Sequence, residues 1–192
     1  MDKKKVFLLI GRSCSGKTTI AKGICEKLHL QQVKSYTTRP IRTNETPEES
    51  DHIFIQKNEV DQYSNDMAAW TSINGFEYFT TKKILNDCDV YVIDPKGLDD
   101  LKRRCTDLYE FVIIYIRVPK SVGKRRAEQR GESLDSYLKR YDMENEQFSE
   151  YERRAVWNYH ILNAGTIQEA IVKGVRIVSN EMAKYKRVKE KI

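Results

Sequence analysis

Gly11-Arg12-Ser13-Cys14-Ser15-Gly16-Lys17-Thr18 is a complete G-x4-G-K-[ST], and its setting decides the fold. Immediately before it runs Val6-Phe7-Leu8-Leu9-Ile10, a continuous apolar stretch of the kind buried on both faces of a parallel sheet. After it, Ile20, Ile24 and Leu28 recur at helical spacing across Thr18–Leu28. In this strand, loop and helix, the glycines let the backbone wrap around phosphates, and successive N–H groups with the helix N-terminus supply donors and a positive dipole. Lys17 bridges the outer phosphates of ATP and Thr18 can ligand Mg²⁺. A plain glycine turn would need neither. The expected nucleotide site is therefore Gly11, Arg12, Ser13, Cys14, Ser15, Gly16, Lys17, Thr18 and Thr19. Cys14 lies near Lys17 and a helix N-terminus, but residues between the two glycines serve through their backbone, so it reads as a small tolerated residue.

Further apolar runs, Asp89–Ile93 and Glu110–Ile116, read as buried strands, and Ile167, Ile171, Val175, Val178, Met182 and Tyr185 repeat at helical spacing. Strands alternating with helices give an α/β fold: a P-loop NTPase-type parallel sheet flanked by helices. A chain of 192 residues has room for one substantial domain with insertions. We expect a core formed by 1–34, 85–119 and 155–192, an inserted substrate-binding subdomain over 35–84, and an arginine-rich lid over 120–154. Within the insertion, Ser35–Arg42 is polar, Thr43–Asp51 holds four acids, and Ile53–Ile55 and Glu77–Thr80 read as short strands. The lid region is charged and helical in pattern, broken at Arg130-Gly131-Glu132-Ser133.

Thirty-four basic against 28 acidic residues give a net charge of +6. The charge is not uniform: Arg117–Arg130 carries six basic residues and one acid, and the tail from Met182 carries five and one. Beside a phosphate loop, the first segment reads as a closing lid that cancels charge on a transferring phosphoryl group. The tail carries no motif. Arg39 and Arg42, three residues apart among hydroxyls, suit a forked grip on phosphate. Asp94 ends an apolar strand at the edge where such sheets bind ligands; it is placed to hold substrate or a metal-bound water, to cap the helix after Pro95-Lys96-Gly97, or both.

The sequence resembles the guanylate kinase family over about residues 5 to 185. After the phosphate loop, Ser35-Tyr36-Thr37-Thr38-Arg39-Pro40-Ile41-Arg42-Thr43-Asn44-Glu45 looks like the family's S-x-T-T-R-x-P-R-x-G-E, and Asp51-His52-Ile53-Phe54 like its D-Y-x-F. Ala69-Trp70 through Gly75-Phe76-Glu77-Tyr78-Phe79-Thr80 is similar to E-W-x-x-x-x-G-x-x-Y-G-[ST], and Ile93-Asp94-Pro95-Lys96-Gly97 to I-D-x-x-G. Lys124–Gly131 is similar to the lid's K-x-R-x-x-x-R-G, with Arg140 at a second lid arginine and Asn163 at an asparagine before the last helix. The resemblance implies that Lys17, Arg126, Arg130 and Arg140 surround the transferring phosphoryl group. It also implies that Arg39, Arg42 and Tyr78 bind a monophosphate, with His52 at the position of a phosphate-binding tyrosine. Ser35 and Asp94 would face the base, and Thr80 falls at the motif's final hydroxyl. The family's base-reading glutamate aligns with Ala69, and glycines align with Asn44 and Phe79. The implied activity is ATP-dependent, Mg²⁺-assisted phosphorylation of a nucleoside monophosphate, GMP or dGMP first. Two alternatives remain: a related kinase for another monophosphate or a phosphorylated sugar, and a non-catalytic guanylate kinase-like binding module.

No apolar run approaches the roughly 20 residues of a membrane span, and the basic start is followed by too short an apolar run for a secretory leader. Cys14, Cys25, Cys88 and Cys105 lack metal or disulfide spacing. A cytoplasmic protein is expected, a monomer or homodimer acting on small nucleotide substrates, with neither membrane nor nucleic acid as partner.

Overall fold

The computed structural model describes residues 3–42 and 45–189, with side chains through Lys184. Met1, Asp2, Asn44 and most of the basic tail lie outside the described side chains. In chain order the elements are β1 (Lys4–Ile10), α1 (Lys17–Leu28), β2 (Ser35–Thr37), β3 (His52–Phe54), a 3₁₀ segment (Lys57–Asp66), β4 (Met67–Ile73), β5 (Phe76–Thr81) and α2 (Lys82–Asp87). They continue as β6 (Val90–Val92), α3 (Pro95–Cys105), β7 (Tyr109–Arg117), α4 (Lys120–Gln129), α5 (Leu134–Arg154), β8 (Tyr159–Leu162) and α6 (Ile167–Lys189). A four-stranded parallel sheet has the order β6-β1-β7-β8, and a second sheet has the order β3-β2-β5-β4. No helix among the described residues is long and apolar enough to cross a membrane.

The chain divides into two compact units, Met1–Leu8 with Gln31–Phe111, and Leu9–Leu30 with Val112–Ile192. In the first, β4 and β5 form a hairpin closed by Asn74 and Gly75, both at positive φ, the requirement of a type I′ turn that an Asn-Gly pair meets without strain. Tyr36 stacks on Phe79 at 5.0 Å and lies 4.4 Å from Tyr63, over a small core of Val60, Met67 and Phe79. Asp94 caps α3 by accepting from the N–H groups of Lys96 and Gly97, with Pro95 in the first turn. The capping role expected for Asp94 is therefore present.

In the second unit α1 packs on α6 through glycines: a Cβ on Gly23 would meet Ile171 at 2.7 Å, and one on Gly174 would meet Ile24 at 2.7 Å. β8 pairs with β7 in parallel, Ile114 opposite Tyr159. Just before β8, Asn158 extends the pairing with its side chain, its Oδ1 accepting from the Ile113 N–H at 2.8 Å. The break between α4 and α5 falls where the sequence places it: Gly131 takes φ +77, and the Ser133 hydroxyl caps α5 by accepting from the Ser136 N–H.

Candidate functional site

The loop between β1 and α1 owes its shape to its two glycines. A Cβ on Gly11 would stand 2.3 Å from the Ile116 carbonyl oxygen, so only glycine permits that approach to β7. Gly16 has φ +89 and caps α1 in the left-handed region. Cys14, at φ 59, adopts the same region without being glycine. Lys17 Nζ folds back to donate to the Gly11 and Arg12 carbonyls at 2.5 and 3.0 Å. Thr18 and Thr19 follow in the first turn of α1.

Two of the sequence-expected lid arginines reach this loop. Arg126, on α4, donates from Nη1 to the Cys14 carbonyl at 3.4 Å and from Nη2 to Asn163 Oδ1 at 3.1 Å. Asn163 is fully buried, and its Nδ2 donates to the Ser15 carbonyl at 2.8 Å, so one amide ties loop and arginine together. Burial, followed by the like charges of Arg125 and Arg130, pushes the Arg126 pKa down; a guanidinium stays charged regardless. Arg140, on α5, donates to Glu132 Oε2 at 2.5 Å and approaches Cys14 Sγ at 3.5 Å, while its Nε is buried without a partner. Arg130 stands exposed at the end of α4.

Sequence reasoning gives the remaining loop residues no side-chain role, and here the structure differs. The Arg12 guanidinium lies over Tyr141 at 4.8 Å and Phe148 at 5.1 Å and donates to Asn145 Oδ1 at 3.3 Å. Glu144 accepts from the Ser13 N–H at 3.0 Å and from the Ser13 hydroxyl. All four helix residues lie on α5. The overlooked signal is the stripe Tyr137, Tyr141, Glu144, Phe148, Tyr151, spaced four, three, four, three; on that inward face Glu144 interrupts an aromatic row.

The loop suits a polyphosphate. Lys17, Arg126 and Arg140 gather around backbone donors, an arrangement of like charges that an anion relieves. The Ser15 hydroxyl, fully buried, has no partner among the described residues. For Mg²⁺, Thr18 offers a hydroxyl, and no cluster of three or more His, Cys, Asp or Glu suited to a metal exists among the described residues.

The first unit assembles the other expected residues. In the second sheet Ser35 lies opposite His52 and Thr37 opposite Tyr78. Ser35 Oγ is hydrogen-bonded to His52 Nδ1 at 2.9 Å, and the His52 and Tyr78 rings meet edge to face at 5.5 Å. Burial holds the His52 pKa below the usual imidazole value. Arg39 is 7% exposed and grips Glu45 with both Nη atoms at 2.7 Å, over the Phe54 ring at 5.0 Å; its Nε is buried without a hydrogen-bond partner among the described residues. The Arg39 fork, backed by burial-opposed hydrogen bonds from Ser50 and the Arg42 N–H, holds the Glu45 carboxyl at about 2. Arg42 is exposed. Thr80, opposite Ala69, is buried with its hydroxyl unpartnered. Asp94 accepts a 3.4 Å bond from Thr71 besides capping α3. Ala69 is 1% exposed.

No family model matches the chain, and no curated protein does. Among solved structures, a shikimate kinase from Acinetobacter baumannii in complex with shikimate matches at a TM-score of 0.49 and 14% identity, over 95% of this chain and 94% of that one. A guanylate kinase from Anaplasma phagocytophilum matches at a TM-score of 0.67 and 23% identity, over 94% of this chain and 87% of that one. On that second match, the α/β architecture built around the loop Gly11–Thr18 is the fold of a guanylate kinase.

Proposed function

We propose that the chain is a P-loop nucleoside monophosphate kinase, transferring the γ-phosphoryl group of ATP to GMP or dGMP in the first instance. The observation that carries the reading is the glycine-built loop Gly11–Thr18 with Lys17, Arg126 and Arg140 gathered on it. In this reading Lys17 and the loop N–H groups hold the ATP phosphates, and Arg126, Arg130 and Arg140 cancel the charge that spreads over the equatorial oxygens during in-line transfer. Mg²⁺, held by Thr18 and the phosphates, would neutralise the β and γ oxygens. No side-chain nucleophile is required, because the acceptor phosphate is already anionic. Arg39, through its open Nε, and Arg42, Tyr78 and His52 receive the acceptor's phosphate, with Ser35, Thr80 and Asp94 toward its base. In domain language, 35–84 receives the monophosphate, 120–154 is the lid, and 1–34, 85–119 and 155–192 form the core.

One observation favours a different acceptor. Ala69 is buried, and a methyl group offers no acceptor for the polar edge of a guanine. A site built to hydrogen-bond a base discriminates by about 10⁴–10⁵, and an apolar one by about 1–3 kcal/mol per small group. A relaxed or altered base choice, or a phosphorylated sugar, follows as the second reading. The non-catalytic binding module lacks such support, since Lys17 and Thr18 are both present.

Coupled detection of ADP with a panel of ribo- and deoxyribonucleoside monophosphates and phosphorylated sugars tests these readings together. Turnover led by GMP or dGMP supports the first, and turnover led by another acceptor supports the second. Silence with all acceptors while ATP still binds would sink both.

A further inference from the structure

Three consecutive loop residues, Arg12, Ser13 and Cys14, are each engaged by side chains of one helix, α5. Tyr141, Asn145 and Phe148 hold Arg12, Glu144 holds Ser13, and Arg140 lies against Cys14. We infer that Glu144 is a positioning residue for the nucleotide: it fixes the outer half of the loop in its phosphate-receiving form and couples that form to the helix bearing Arg140. The inference rests on the reading of Gly11–Thr18 as an ATP loop.

The geometry supports a lasting clasp. A carboxylate has only acceptors, and Glu144 uses both oxygens on one residue, one for the Ser13 N–H and one for its hydroxyl. Charge-assisted bonds of this kind are about twice as strong as neutral ones. Glu144 is half-buried in a row otherwise made of Tyr137, Tyr141, Phe148 and Tyr151, where an uncommitted acid would be costly. Arg12 fixes the same face independently: it is 8% exposed, lies over two rings, and is bonded to Asn145. Residues 141, 144, 145 and 148 share one side of the helix. A movement of α5 that withdrew Glu144 from Ser13 would therefore also withdraw the rings from Arg12. A carboxylate that merely stood in for a phosphate would need no such second anchor.

The experiment compares the full-length wild type with Glu144→Ala, Glu144→Gln and Glu146→Ala, the last an exposed acid on the same helix. ATP affinity is measured by calorimetric titration, and exchange of the Ser13 amide by NMR on nucleotide-free protein. Glu144→Ala is expected to speed Ser13 exchange and weaken ATP binding about 5- to 20-fold. Glu144→Gln, which keeps an acceptor for the N–H, should recover part of both, and Glu146→Ala should leave both unchanged. If turnover is established, the loss in Glu144→Ala falls on the KM for ATP more than on kcat. Unchanged Ser13 protection in Glu144→Ala overturns the clasp. ATP affinity that is unchanged or tighter overturns the positioning role, because the carboxylate would then be idle or a competitor for phosphate. Should Glu144→Ala fail to fold, Glu144→Gln decides by the same two readings. A wild type that binds no ATP overturns the nucleotide loop and, with it, the positioning role, whereas the Ser13 exchange still reports separately on the clasp.

Discussion

With both Nη atoms on Glu45 and its guanidinium over the Phe54 ring, Arg39 is a buried cation gripped by one carboxylate. Removing one partner of such a pair leaves the other charge unpaired, which costs more than the pair itself contributes. Glu45→Gln is expected to destabilise the protein by about 2–4 kcal/mol at neutral pH, measured by urea denaturation. The Glu45 carboxyl titrates at about 2 in the folded chain, below its ordinary value of 4.5. Between those values the unfolded chain takes up a proton that the folded chain refuses. The stabilisation is complete above pH 4.5 and fades as pH falls through about 2, so the gap between wild type and Glu45→Gln should narrow over that window. His52 has the same direction with a different cause. Burial lowers its pKa from 6.5, so the folded chain keeps a neutral imidazole on Ser35 where the unfolded chain would be protonated. Its NMR titration midpoint should lie below 6.5, and its contribution to stability should decline as pH drops through 6.5; a midpoint above 6.5 contradicts the burial argument.

At the scale of elements, α4 and α5 meet where a missing side chain makes room. A Cβ on Gly123 would stand 2.5 Å from the Tyr137 hydroxyl, and that ring is fully buried with its hydroxyl bonded to the Lys120 carbonyl. In an open helix Gly→Ala would gain about 1 kcal/mol. Here the ring has nowhere to retreat, so Gly123→Ala should instead cost about 1–2 kcal/mol, checked by the denaturation midpoint at unchanged m. The α4–α5 boundary was legible because Gly131 and Ser133 carry its chemistry locally. β1 and β7 were legible as long apolar runs, and the start of α1 from the motif that precedes it. β2 was not, since Ser35-Tyr36-Thr37 is three residues without an apolar period, and β4 was not, since a register shift between Met67 and Ala69 breaks the alternation. The turn Gly11–Thr18 between β1 and α1 could be placed from eight residues. The hold of α5 on Arg12 and Ser13 joins positions more than 125 residues apart, and no local pattern announces a partner at that distance; only the acid in the aromatic stripe hints at one.

For the molecule as a whole, the division into units does not follow the order of the chain. The loop Gly11–Thr18 lies within Leu9–Leu30, which belongs to the second unit together with Val112–Ile192, while Gln31–Phe111 belongs to the first. Contacts that close so late in sequence are slow to form, because a long intervening chain must be ordered first. During synthesis, which proceeds from the N-terminus, the loop Gly11–Thr18 is among the first segments made. Arg126, Glu144, Asn163 and the Ile171 that packs on Gly23 are all made much later. Ribosome-bound chains of increasing length should therefore show protease-resistant structure in Gln31–Phe111 before any affinity for immobilised ATP, with that affinity arising only once α6 has emerged. Early ATP capture by chains ending before Asn163 would refute this order. The ribosome thus delivers the loop Gly11–Thr18 first and its long-range partners last, so a chain cut short by premature termination presents the motif without the residues that hold it.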